Sequence, residues 1–145
     1  MNEDAQTYKT VTRLMVHDFE CEATSITEIL GVQPTKTWKT GDRVLPQAIN
    51  VYHQNGWMKE SPVDPGHTTP EESIAALLAL FPDPSAFAQL PRPSQVEVSS
   101  TLFGYTERPY FSLSARYLAQ LGAIGADLDL DVYDLSNSSE PDTEA

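Results

Sequence analysis

Between Ala126 and Val132 apolar and acidic residues alternate without a break: Ala126, Leu128, Leu130 and Val132 have one parity, Asp127, Asp129 and Asp131 the other. A period of two scatters residues around a helix, but on a β-strand it puts the aliphatic side chains on one face and the carboxylates on the opposite one. Residues 126–135 are therefore read as a half-buried strand with leucines inside and aspartates outside. Such a strand needs a sheet to pair with and helices to cover its leucines. The rest of the chain has to supply both.

It does so in short pieces. Lys9 to His17 alternates loosely and reads as a first strand. Ser25 and Glu28 have the spacing of a capping box, Ile26, Ile29 and Leu30 share one helical face, and Gly31 suits the left-handed end of a short helix. Pro34 blocks continuation, and Thr35 to Pro46 reads as a long connection. Ile49, Val51 and Tyr52 open a second strand candidate running towards Trp57 and Met58, with Asn55-Gly56 as a turn or bulge. The clearest helix follows: Thr69 as N-cap, Pro70 in the first helical position, Glu72 closing a capping box, and Ile74, Leu77, Leu78 and Phe81 along one side. Ser85 to Leu90 adds a further helical turn between prolines, and Gln95 to Phe103 alternates as a third strand. After Pro109, Ser112 caps a helix bearing Leu113, Tyr117, Leu118 and Leu121, which Gly122 stops.

The expected fold is α+β, a largely antiparallel sheet of four to five strands covered on one face by three short helices, in the order β-α-β-α-β-α-β. Residues 1–135 are expected to form this single domain, and 136–145 an acidic flexible tail, because the last segment has no apolar residue but its final alanine. With 145 residues, one core suffices.

Charge narrows the function classes. The formal net charge is -12, and it is unevenly spread: residues 1–60 carry a net -2 and residues 61–145 a net -10. Such a surface repels phosphate backbones and anionic membranes, so neither nucleic acid nor membrane is expected as a partner, and a basic protein surface is its natural complement. The lone Cys21 excludes an internal disulfide and the N-terminus lacks the pattern of a secretory leader, which makes a cytoplasmic location the expectation.

Catalytic and metal motifs are missing from the pattern. Numbered as a calcium loop from Asp127, the chain has Val132 where glycine is needed and Ser138 where glutamate is needed. His17, His53 and His67 have no metal-pair spacing, and Glu20 and Glu22 beside Cys21 oppose thiolate formation. No catalytic residue, metal or cofactor is expected, and the chain is not read as an enzyme. Two surfaces have candidate roles. Asp127, Asp129, Asp131 and Tyr133 either form a solvated strand face or a docking surface for a basic partner. Trp38, Lys39, Asp42, Arg43 and Trp57 either close the core or rim a pocket that stacks on a planar anionic ligand, with Asp42 pinning the loop through backbone amides.

Several stretches together resemble a bacterial family, domain of unknown function 4279. They are Ile26 to Pro34, Trp38-Lys39-Thr40-Gly41-Asp42, Gly56-Trp57, the helix from Glu72 to Leu80, and Leu118 to Tyr133 with its Leu-Asp-Leu-Asp-Val-Tyr. The resemblance covers about residues 8 to 135 and implies a small bacterial domain with no catalytic residues to carry over. The leading expectation is a small acidic protein-binding module, an immunity or antitoxin type of inhibitor that covers a basic surface of a toxic enzyme. The alternative is a sensor domain for a small anionic ligand, built on Trp38, Arg43 and Trp57.

Overall fold

The computed structural model describes residues 8–106 and 110–135. It contains one five-stranded sheet with helices, an α+β fold. In chain order the elements are β1 (Tyr8–His17), α1 (Ala23–Leu30), β2 (Lys36–Trp38), β3 (Gly56–Glu60), α2 (Pro70–Leu78), a 3-10 helix (Pro84–Gln89), β4 (Gln95–Gly104), α3 (Ala115–Ala123) and β5 (Ala126–Asp134). The strands lie in the order β2-β3-β1-β4-β5, so β1 and β4, the two ten-residue strands, fill the middle, and the short β2 and the nine-residue β5 are the edges.

Register decides which side chains share a face. Val16 stands opposite Trp57 on one side and Val96 on the other, and Val96 pairs with Ala126. In the next inward row Leu14 meets Val98, which meets Leu128. These residues pack with Ile26 and Leu30 of α1, Ile74 and Leu77 of α2, and Leu121 and Ile124 in and after α3. Leu14, Val16, Ile26, Trp57, Ile74, Leu77 and Val98 are fully buried, each contributing about 1.5–3 kcal/mol of transfer free energy. Towards the other end of β1 and β4 the same face carries Thr10, Thr12 and Ser100, also buried, with the Thr12 and Ser100 hydroxyls hydrogen-bonded at 2.9 Å. Sharing that bond removes the cost of hiding two hydroxyls in the core.

The helices obey local chemistry. The Thr69 hydroxyl accepts from the Glu72 backbone N–H and the Glu72 carboxylate accepts from the Thr69 backbone N–H, with Pro70 in the first turn, so the capping box reads through from sequence to structure. Gly31 ends α1 with φ 73°, as its sequence position suggests.

Several details depart from the sequence reading. The cap of α1 is Glu22, and Ser25 lies inside the first turn with its amide bonded to the Glu22 carbonyl, so the Ser25–Glu28 spacing is no capping box. The connection from Thr35 contains the strand β2, and the next strand begins at Gly56; Ile49 is 93 % exposed, and residues 49–52 form no strand of the sheet but fold back on the 41–44 loop through backbone bonds and an isolated bridge between Arg43 and Val51, with Tyr52 stacked on Trp38. The N-cap of α3 is Ser114 where Ser112 was expected, and the helix runs past Gly122 to Ala123. Finally, β5 runs parallel to β4 while the other three pairs are antiparallel. A helix between neighbouring strands returns the chain to its starting end, and parallel pairing follows. The acidic segment 136–145 lies outside the described residues.

Candidate functional site

All three helices pack on the face that holds the core, and the opposite face of the sheet has no helix over it among the described residues. Its side chains alternate with the buried ones along every strand. Row by row across the register it carries Met58, Met15, Glu97 and Asp127; then Glu60, Arg13, Ser99 and Asp129; then Val11, Thr101 and Asp131; then Lys9, Phe103 and Tyr133. The middle of this face is half-buried by neighbouring side chains, and the β5 margin is open, with every residue from Asp129 to Leu135 exposed.

Charge is sorted across these rows. Arg13 pairs with Glu60 at 3.5 Å towards the β3 side, and Lys9 sits 5.7 Å above the Phe103 ring, which stacks on Tyr133 at 5.2 Å. Towards β5 the carboxylates accumulate. Glu97 lies directly across from Asp127 and diagonal to Asp129, and burial pushes its carboxyl above the usual range, with repulsion from Asp129 adding to the shift and His17, 3.8 Å away, opposing it. Asp127, Asp129, Asp131 and Tyr133 therefore share one face, next to a further acid, Glu97, which periodicity alone had left on a strand with no role. The leucines of β5 are less hidden than the alternation suggests: Ala126 and Leu128 pack against the core, whereas Leu130 is 38 % and Val132 54 % exposed.

The second candidate group is not brought together. Trp38 pairs with Gly56 while Trp57 pairs with Thr37, so the two indoles are on opposite faces of the sheet. Trp57 is wholly buried and donates its Nε1–H to the Thr27 hydroxyl at 3.0 Å. Trp38 lies so close over Gly56 that a Cβ there would meet the indole Cε2 at 1.9 Å, and the Tyr52 ring stacks on it at 4.9 Å. Protein groups already occupy the indole surface a planar ligand needs. Lys39 reaches Glu22 at 3.5 Å, and Arg43 donates to the Pro46 carbonyl at 3.3 Å. Asp42 does pin its loop, accepting from the Lys39 amide at 2.8 Å, and Asn55 fastens the same loop by accepting from Thr40 and donating to the Phe19 carbonyl. This region is an assembled loop anchor.

Concavities among the described residues lie elsewhere. A groove of about 540 Å³ between the 3-10 helix, the loop before β4 and the start of β5 has Arg92 and Asp127 as its charged lining. A smaller apolar cleft of about 230 Å³ is lined by Leu78, Phe81, Phe87 and Ile124. Neither gathers a nucleophile beside a base. No group of three metal-ligating side chains occurs among the described residues, and no helix among them is long and apolar enough to cross a membrane.

A family model described as Domain of unknown function (DUF4279) matches residues 6–135 of the sequence. The chain belongs to this family. The DUF4279 match takes in every element from β1 to β5, including both candidate surfaces. No curated protein and no solved structure matches the chain.

Proposed function

We propose that this DUF4279 chain is a small acidic protein-binding module of the immunity or antitoxin type, which inhibits a toxic enzyme by covering its basic surface. One observation carries the reading: the helix-free face of the sheet holds Asp127, Asp129 and Asp131 in register on a rigid strand, beside Glu97. Carboxylates fixed in this way require no reordering on binding, and with a net charge of -12 behind them they raise the encounter rate with a cationic partner. The exposed Tyr133, stacked on Phe103, adds an aromatic anchor at the end of the row.

The test is protection of growth. Proteins encoded beside this chain in its host are expressed singly, and one that halts growth is then co-expressed with the wild-type chain or with the Asp127→Ser, Asp129→Ser, Asp131→Ser triple variant. The wild-type chain restores growth and the triple variant, folded by circular dichroism, does not. Equal protection by the two chains contradicts the reading.

A further inference from the structure

Among the described residues, the nine-residue β5 has a strand neighbour on one side only, so one row of backbone N–H and C=O groups, over Ala126 to Tyr133, faces away from that neighbour. Sheet edges invite pairing with another chain, and proteins blunt them with short strands, prolines, charged side chains or a covering element. The opposite edge of this sheet follows that rule, since β2 has three residues. β5 relies on the charge of its aspartates alone: it is long, contains no proline, and no strand among the described residues pairs with its outer side. Its exposed apolar residues Leu130 and Val132 stand on the helix side of the sheet without neighbours that bury them.

The charge on β5 decides what can pair there. A second copy adding to the same edge would bring its row of Asp127, Asp129 and Asp131 beside the identical row, and like charges directly opposite oppose pairing. The chain's own ends have the wrong sign as well, with Glu3 and Asp4 at one and Glu140, Asp142 and Glu144 at the other. A strand with lysine or arginine at every second residue and aliphatic residues between them meets each requirement. Its cations face the aspartates, its aliphatic side chains extend over Leu130 and Val132, and its backbone satisfies the open edge.

We infer that β5 is the acceptor edge for β-strand addition by a cationic, amphipathic segment of a protein partner. This rests on the proposed capture of a basic partner and specifies its mode: main-chain pairing as well as charge attraction.

Three peptides test it against the full chain. The first is a capped peptide of about ten residues alternating lysine and valine. The second has the same composition with the lysines and valines in separate blocks, and the third is the alternating peptide N-methylated at successive residues so that neither of its edges can donate. Strand addition predicts that the alternating peptide binds and slows amide exchange within Ala126–Asp134, and that the other two bind about tenfold or more weakly. The Asp127→Ser, Asp129→Ser, Asp131→Ser variant loses about tenfold for the alternating peptide. If all three peptides bind the wild-type chain equally and all lose affinity to the triple variant, strand addition is wrong and the acidic face stands. Binding that ignores the triple variant overturns both. Absence of binding by the alternating peptide overturns strand addition, and so does a wild-type chain that sediments as a dimer with its β5 amides already protected, which would seat a second copy on the edge.

Discussion

Glu97 is the residue whose chemistry the sheet alters most visibly. Its side chain is 26 % exposed, it faces Asp127 across the strand pair, and Asp129 lies on the diagonal. Its pKa is raised above 4.5, so in the window above that value the folded chain holds a proton that the unfolded chain has released. Stability therefore falls as pH rises through that window, and the deficit persists at neutral pH. Glu97→Gln is expected to stabilise the chain at pH 7 by a few tenths to about 1 kcal/mol, with the gain vanishing in acid where both chains are neutral at this position. Urea denaturation of the two chains at both pH values measures it; a variant less stable at pH 7 would show that attraction to His17 outweighs the repulsion. None of this was legible in Gln95 to Phe103 alone, because the electrostatics come from a strand that is distant in sequence. Gly56 teaches the same lesson: Asn55-Gly56 reads as a turn or a bulge, whereas the glycine is required because Trp38 from the neighbouring strand occupies the space of a side chain. The pairing of Trp38 with Trp57 in one pocket failed for a comparable reason. Their shared chemistry is visible in the sequence, but the strand parity that separates them depends on a register it does not display.

Among the elements, those whose signals are complete in themselves read most clearly. α2 has a capping box, a proline and an apolar stripe within one segment, and β5 has its alternation; both were legible. α3 is different because its N-terminus is finished by another helix. The Glu71 carboxylate of α2 accepts from both the backbone N–H and the hydroxyl of Ser114, each at 2.6 Å, while the Ser114 side chain makes no cap bond of its own. These two bonds, with Arg116 contributing, lower the Glu71 pKa below its ordinary value. The sign is opposite to that of Glu97: the stabilisation is present above the ordinary carboxylate pKa and is lost as pH falls through the lowered one. Glu71→Ala is expected to destabilise the chain at neutral pH and to speed amide exchange in the first turn of α3 several-fold, while Glu71→Gln, which keeps an acceptor oxygen, loses less. Equal exchange in α3 for wild type and Glu71→Ala would remove this link between the helices. The direction of β5 belongs at this scale as well. Its alternation is indifferent to direction, and the relevant signal was the helix before it, since neighbouring antiparallel strands need only a tight turn.

For the whole molecule, the architecture concentrates the core on one side of the sheet. One face of the sheet and three helices hold the core; the other face has no helix over it among the described residues, with cations towards its middle and carboxylates at one margin. Composition locates the excess acid in the second half of the chain, and register turns that excess into a surface bounded by β4 and β5. The fold class, the covered side of the sheet and the acid-bearing strand were accessible from periodicity. The strand order was not, because period-two patterns specify faces and leave neighbours open. The most direct test of an acidic sheet face as the binding surface is hydrogen–deuterium exchange of the chain with and without the basic partner that the proposed function calls for. Protection is predicted along Ala126–Asp134 and the neighbouring Gln95–Gly104, with α1 and α2 unchanged. Protection concentrated on the helical layer, with β5 exchanging as it does in the free chain, would contradict it.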